Sequence, residues 1–165
     1  MMDHRYTFRA KSMEEKGDKI KIGDWVYGAY IPCYRAERNY SKFGEPDNIY
    51  PVIYVNDGFR VGFIRVDPNT VGRCVELRDI HSRFIFEGDI VEQKANIYKL
   101  GKNEPEGKYT RRGIVYWDDI DKKHAGHWAV ETVDEKGNNV ASCLFVGFNG
   151  WKHIGNIHDT LELLK

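Results

Sequence analysis

Acidic and histidine side chains lie close together after residue 117, and they have the clearest potential for metal chemistry. Hard cations prefer carboxylate oxygens, and zinc prefers His or Cys. The spacing matches neither an EF-hand loop, which needs a longer series ending in Glu, nor the HExxH pair of a zincin helix. We therefore interpret these side chains as solvated turn residues and predict no metal and no cofactor; they are Asp118, Asp119, Asp121, His124 and His127.

A second acidic motif, Glu87-Gly88-Asp89, places two carboxylates around a glycine. Two acids so arranged are able to bind a cation or act as a base, but apolar residues on both sides predict a turn between buried strands. Glycine permits backbone angles that other residues resist, and Asp accepts hydrogen bonds from nearby backbone N–H groups. We favour this structural interpretation. It extends to the other turn positions, which are Asp67, Pro68, Gly72, Gly155 and Asn156.

Nucleophilic side chains are present without a catalytic signature around them. The candidates are Cys33, Cys74, Cys143, Ser82 and Ser142. None lies in a nucleophile elbow or in a cysteine-protease motif. The chain also has no Walker A loop and no GxGxxG, so nucleotide-dependent chemistry has no support. We predict no catalytic residues.

Basic residues are most concentrated between Lys99 and Arg112. This segment carries Lys99, Lys102, Lys108, Arg111 and Arg112 against Glu104 and Glu106. Mixed charges with Gly and Pro are typical of a solvated surface loop. The alternative is an electrostatic surface for single-stranded nucleic acid, with nearby aromatic side chains to stack on bases.

Aromatic residues are numerous, and most should belong to the core of a β protein of this size. The turn Phe148-Asn149-Gly150-Trp151 is predicted to expose Trp151, with Lys152 and His153 beside it. The full set that could stack on bases comprises Trp25, Tyr27, Tyr116, Trp117, Trp128, Phe148 and Trp151.

The bulk composition restricts the cellular setting. The 165 residues include 25 basic and 25 acidic side chains, so the formal charge is zero and no global field attracts nucleic acid. Three cysteines without a CxxC pair are typical of reduced thiols inside a cell. No apolar stretch resembles a signal peptide or a membrane span. We expect a cytoplasmic protein.

Apolar and aromatic residues occur in short runs separated by Gly, Asn, Asp and Pro, which predicts a mostly β fold. The clearest hairpin is Val52 to Val66, around Asn56-Asp57-Gly58. Between His127 and Val133, alternation places Trp128, Val130 and Thr132 on one face. Residues 32–50 are predicted to be a long connection. Asp159 is predicted to cap a short C-terminal helix.

Four ordered strings resemble those of the YopX family of phage and prophage proteins. They are Phe8-Arg9-Ala10, the segment from Val66 to Gly72, the segment from Phe84 to Val91, and Ile154-Gly155-Asn156-Ile157 followed by Leu161 to Leu164. The chain departs from the family pattern at Asp79 to Arg83 and at Leu161. The resemblance implies a phage or prophage origin and a β-barrel-like fold. The pattern along the chain predicts one domain over 1–165 or two packed lobes, 1–66 and 71–165. The resemblance supplies no catalytic residues.

Taken together, these features favour a non-enzymatic phage accessory protein that binds a host or phage macromolecule. Exposed edge strands also favour a homo-oligomer, since unpaired backbone groups are templates for further strands. The alternatives are a single-stranded nucleic-acid-binding protein that uses the basic segment and, less favoured, a metal-dependent enzyme.

Overall fold

Short apolar runs broken by turn residues give a structure built almost entirely of strands. The computed structural model describes residues 7–35, 49–56, 61–98, 105–119, 126–133, 139–143 and 150–164. Within these residues there are eleven strands and three short 3₁₀ helices. The mostly β prediction is confirmed. The strands form open antiparallel sheets, so the barrel closure that the resemblance implied is corrected.

The chain divides into two compact units, Met1–Cys74 and Val75–Lys165. In the first unit the strands are β1 (Phe8–Lys11), β2 (Trp25–Arg35), β3 (Ile49–Asn56) and β4 (Val61–Arg65), followed by the start of β5 (Gly72–Arg78). Their order across the sheet is β4-β3-β2-β1-β5. The predicted hairpin is β3–β4, which pairs from Asn56 with Val61, while its Asp57-Gly58 turn lies outside the described residues.

One face of the first sheet is apolar and forms the core of the unit. Its buried members are Ala10, Ile20, Val26, Ile53, Val55, Ile64 and Val66. Because side chains alternate along each strand, a different set of side chains lies on the other face of this sheet.

Two strands of this sheet approach each other closely at Gly28. A Cβ at this position would lie 2.0 Å from the Tyr54 carbonyl oxygen, so only glycine fits there.

The outer edge of β4 is occupied by a segment that precedes β2. The Lys16 ammonium donates to the Phe63 carbonyl oxygen, and the Arg65 N–H donates to Glu14 Oε1 at 3.0 Å. The Met13 N–H donates to the Arg65 carbonyl oxygen at 2.9 Å. Backbone groups that would otherwise accept a further strand at this edge are thus already hydrogen-bonded.

The second unit contains the end of β5 and six further strands. They are β6 (Phe84–Phe86), β7 (Asp89–Tyr98), β8 (Pro105–Asp118), β9 (His127–Val133), β10 (Asn139–Cys143) and β11 (Trp151–Asn156). Five of them form a sheet of order β10-β9-β8-β7-β11. The predicted basic loop is therefore wrong from Pro105 onward, because residues 105–112 are part of β8. Residues 99–104 lie outside the described part.

Trp128, Val130 and Thr132, which alternation along β9 was predicted to place on one face, are all buried, and Ala129 of the other face is buried as well. Val130 lies opposite Val115 of β8, and Trp128 lies opposite Trp117 with an edge-to-face ring contact at 5.1 Å. The core of this unit comprises Val75, Ile85, Val91, Val115, Trp128, Val130 and Trp151.

The C-terminal segment is a 3₁₀ helix, Leu161–Leu164, where a short helix capped by Asp159 was expected. The preceding turn is organised by Asn156, whose Oδ1 accepts from the N–H groups of His158 at 2.8 Å and Asp159 at 3.0 Å. The Asp159 carboxylate in turn accepts a bond from the Asn156 side chain. No helix among the described residues is long and apolar enough to cross a membrane.

Candidate binding surface

The basic residues predicted to bind a macromolecule do not form one surface among the described residues. Lys99 and Lys102 lie outside the described part. Lys108 is exposed on β8. Arg111 and Arg112 are consecutive strand residues, so their side chains leave opposite faces of the sheet.

Arg111 is directed toward the core face of the second unit's sheet. Its Nε donates to Gln93 Oε1 at 2.8 Å, and its guanidinium lies 4.8 Å from the centre of the Trp151 ring. Trp151 is only 3% exposed, which corrects the expectation of an exposed aromatic side chain at this position. The pair therefore contributes a cation–π contact to the protein's own packing.

Arg112 makes contacts on the opposite face. Its Nε lies 3.0 Å from Glu92 Oε2, and its Nη1 donates to the Leu163 carbonyl oxygen at 3.1 Å. The Glu92 carboxylate lowers the attraction that this guanidinium would exert on a phosphate. Both arginines are therefore engaged by the second unit itself.

The acidic group is only partly described. Asp118 ends β8 and lies opposite His127, the first residue of β9. Asp119 is exposed, while Asp121 and His124 lie outside the described residues. Among the residues that the structure does describe, no group of three or more His, Cys, Asp or Glu side chains could hold a metal ion.

Tyr116 lies on β8, near this acidic group. Burial, and then the charges of Asp118 and Glu131, raise the pKa of Tyr116, so its phenol stays neutral at physiological pH.

The Glu87-Gly88-Asp89 motif forms the turn between β6 and β7. Gly88 has φ +79°, in the region that favours glycine. Asp89 is fully buried, and its Oδ2 accepts from the Phe86 N–H at 2.8 Å. Its Oδ1 lies 3.2 Å from His153 Nε2, so a buried carboxylate and a half-buried imidazole form a pair.

Asp79 is a second buried carboxylate; it opens the turn, Asp79 to Arg83, where the sequence departs from the family pattern, but sequence reasoning assigned the side chain no role of its own. Its Oδ1 accepts from the N–H groups of His81 at 2.8 Å and Arg83 at 2.9 Å, and its Oδ2 from that of His153 at 3.2 Å. Burial acts to raise the pKa of Asp79, but these backbone donors and the nearby His81 charge outweigh it and lower the pKa. The signal that could have found it was an Asp opening a short polar turn.

The remaining turn residues also make local contacts. Asp67 Oδ1 accepts from the Asn69 N–H at 2.9 Å, and Pro68 begins the 3₁₀ helix Pro68–Thr70. Gly72 lies opposite Arg9 in the β1–β5 pair. A Cβ at Gly155 would lie 1.9 Å from Thr160 Oγ1, so only glycine fits there without a rearrangement.

The side of the first sheet opposite its apolar core has a different chemistry. Strand register places Lys11 opposite Trp25, Tyr54 opposite Phe63, and Tyr54 opposite Ala29, two residues from Tyr27. Partners in an antiparallel pair share a face, and this face is opposite the apolar core. We call it the aromatic–basic face and define it by Lys11, Trp25, Tyr27, Tyr54, Phe63 and Arg65.

Several of its aromatic rings are accessible. Tyr27 is 49% exposed and Phe63 is 37% exposed, although both are large hydrophobic side chains on a regular sheet. The rings of Tyr54 and Phe63 lie 5.2 Å apart. Cations accompany the rings: Lys11 Nζ lies 5.6 Å from the Trp25 ring, and the Arg65 guanidinium lies 5.0 Å from the Tyr50 ring.

Strands β1 to β4 carry basic side chains and no acidic ones. They contain no Asp or Glu, although the whole chain has 25 acidic residues. The basic side chains on the face are Arg9, Lys11 and Arg65, and Arg9 is buried against the Trp25 ring at 4.5 Å. Sequence reasoning named Trp25 and Tyr27 as stacking candidates but missed Tyr54 and Phe63. Alternation along β3 and β4 was the signal that could have found them.

Comparison with protein-family models gave one match that covers most of the chain. Residues 34–165 match the model described as YopX protein. The comparison with curated proteins gave no match, and neither did the comparison with solved structures.

Proposed function

The chain belongs to the YopX family, and we propose that it is a non-enzymatic binding protein of phage or prophage origin that acts on a host or phage macromolecule in the bacterial cytoplasm. The observation that supports this proposal is the aromatic–basic face. Trp, Tyr and Arg are the side chains that contribute most to binding at protein surfaces. Here they lie together and partly exposed on a sheet whose opposite side is the core.

The carboxylates of the described turns favour binding over catalysis. The side chains of Asp67, Asp79 and Asp89 accept hydrogen bonds from backbone N–H groups. Such bonds fix the turns between strands. A general base needs its carboxylate within reach of a substrate proton, whereas Asp89 is fully buried.

The proposal does not extend to a homo-oligomer assembled through β4. Edge-to-edge assembly needs open backbone groups along a strand. The contacts from Met13, Glu14 and Lys16 already occupy groups on this edge. Self-association would have to use a different surface.

Affinity capture tests the proposal. The tagged wild-type protein and a double variant, Tyr27→Ala with Arg65→Gln, are incubated with extract from cells that carry the phage or prophage. We expect the wild type to retain a macromolecule that the double variant does not retain. Lys94→Gln, which neutralises an exposed cation of the second unit, serves as the matched control and should behave as wild type. Equal capture by the wild type and the double variant would refute the assignment of binding to this face.

A further inference from the structure

We infer that the aromatic–basic face binds single-stranded nucleic acid, with bases stacked on its exposed rings and phosphates contacted by its cations. The inference rests on the proposed function and names the class of its partner. It differs from the predicted use of Lys99 to Arg112, because Arg111 and Arg112 are engaged within the second unit.

The rings are spaced for separate bases. Tyr27 of β2 is diagonal to Tyr54 of β3, which lies directly opposite Phe63 of β4. Diagonal neighbours in an antiparallel sheet lie roughly 7–8 Å apart. The Tyr54 and Phe63 rings lie 5.2 Å apart and form one aromatic pair. Tyr27 on one side and this pair on the other thus give two platforms for the bases of an unstacked strand.

The cations are placed beside these rings. Lys11 lies on β1 beside the Trp25 ring, and Arg65 lies on β4 beside the Tyr50 ring. The strands β1 to β4 carry no carboxylate of their own, so a phosphate backbone crossing them meets basic side chains. Positive charge combined with stacking aromatics is the usual arrangement of single-strand binding surfaces.

A duplex fits this face less well. Bases within a duplex are stacked on one another, so their flat surfaces cannot lie on Tyr27 or Phe63. Every base of an unstacked strand, in contrast, has a flat π surface, so this face predicts binding with little dependence on sequence.

The test measures fluorescence anisotropy of a labelled oligothymidylate of about 20 nucleotides, an oligouridylate of the same length, and a duplex of the same length. We expect both single strands to bind more tightly than the duplex. Tyr27→Ala should weaken single-strand binding roughly fivefold or more, because one stacking platform is removed. Tyr27→Phe keeps the ring and should restore most of the binding that Tyr27→Ala loses.

Salt dependence separates the contribution of the cations. For a single strand, the slope of log K against log salt becomes shallower by about 0.7 for each phosphate that the protein no longer neutralises. Lys11→Gln with Arg65→Gln should therefore reduce the steepness of that slope by about 1.4, measured between about 50 and 200 mM salt. Lys94→Gln, at an exposed cation of the second unit, should leave the slope unchanged. Urea unfolding of each variant checks that its fold is retained.

The outcomes distinguish the inference from the proposed function. Absence of single-strand binding at low salt, binding that Tyr27→Ala leaves intact, or tighter binding to the duplex would each overturn the inference. Capture from nuclease-treated extract then decides the proposed function. If the wild type captures a partner and the Tyr27→Ala, Arg65→Gln variant does not, the face binds a protein, and the proposed function stands although the inference fails. If that capture is also unaffected by the substitutions, both are wrong.

Discussion

Replacing Asp79 by alanine should strongly destabilise the second unit, because one carboxylate connects two distant parts of it. Asp79 is 6% exposed and accepts three backbone N–H bonds, from His81 at 2.8 Å, Arg83 at 2.9 Å and His153 at 3.2 Å. Hydrogen bonds to a charged group contribute about 1.5–3 kcal/mol each. The bonds from the exposed turn residues can be partly replaced by water, so we expect a total loss of about 3 kcal/mol.

Urea unfolding followed by tryptophan fluorescence measures this loss. A Trp25→Phe background, used for every protein compared, removes the single tryptophan of the first unit and leaves Trp117, Trp128 and Trp151 to report on the second. Asp119→Ala removes an exposed carboxylate of the same unit and should leave its unfolding midpoint unchanged. A loss below about 1 kcal/mol for Asp79→Ala would refute the reasoning.

The pH dependence gives an independent check on Asp79. Burial opposes ionisation, but the N–H donors of Arg83, His153 and His81, together with the His81 charge, lower the pKa of Asp79 in the folded protein. A carboxyl with a lowered folded pKa stabilises the fold above its unfolded pKa of about 3.9, and this stabilisation is lost as the pH falls through the folded pKa. The stability difference between wild type and Asp79→Asn should therefore be full at neutral pH and narrow below about pH 4. A constant difference down to strongly acidic pH would contradict the assigned cause.

Three further substitutions test the backbone requirements of the fold. Gly28→Ala should destabilise the first unit by about 3 kcal/mol, because the new Cβ would lie 2.0 Å from the Tyr54 carbonyl oxygen; an unchanged urea midpoint in Trp25 fluorescence would show that the strands can separate at low cost. Gly88→Ala should lower the free energy of unfolding by about 1–2 kcal/mol, because alanine is strained at the +79° φ angle. Gly88→Asn should lower it less, and equal losses for the two variants would contradict a backbone origin. The double variant Glu14→Ala, Lys16→Ala should self-associate more as its concentration rises, because two hydrogen bonds on the β4 edge are removed. Sedimentation velocity measures this, and a monomer at all concentrations would show that other contacts protect the edge.

Local features of the structure followed directly from short stretches of sequence. The Gly88-Asp89 turn needs only a glycine with a positive φ angle and a carboxylate that reaches back three residues to the Phe86 N–H. Alternation between residues 127 and 133 predicted that Trp128, Val130 and Thr132 share a face, and the structure shows that these side chains are buried. Contacts of this kind involve neighbours in the chain, so their residue types are sufficient to predict them.

Errors arose where the outcome depended on residues far apart in sequence. Trp151 next to Gly150 suggested an exposed turn, but β11 pairs with β7 and the ring is buried beside Arg111. The charged composition of residues 105–112 suggested a loop, whereas pairing with β7 and β9 makes β8 a long strand. Charged residues are accepted in a strand when alternate positions face solvent.

By itself the sequence determined the β class, the positions of several turns and the resemblance to the YopX family, because these depend on residue types over short distances and on ordered motifs. Only the tertiary structure decided which side chains share a surface. Strand pairing and register bring Lys11, Trp25, Tyr27, Phe63 and Arg65 onto one face, although the first and the last of them are far apart in the chain. A shift of one residue in any pair would have moved those side chains into the core. The candidate binding surface is therefore a consequence of register, which no single segment of the chain specifies.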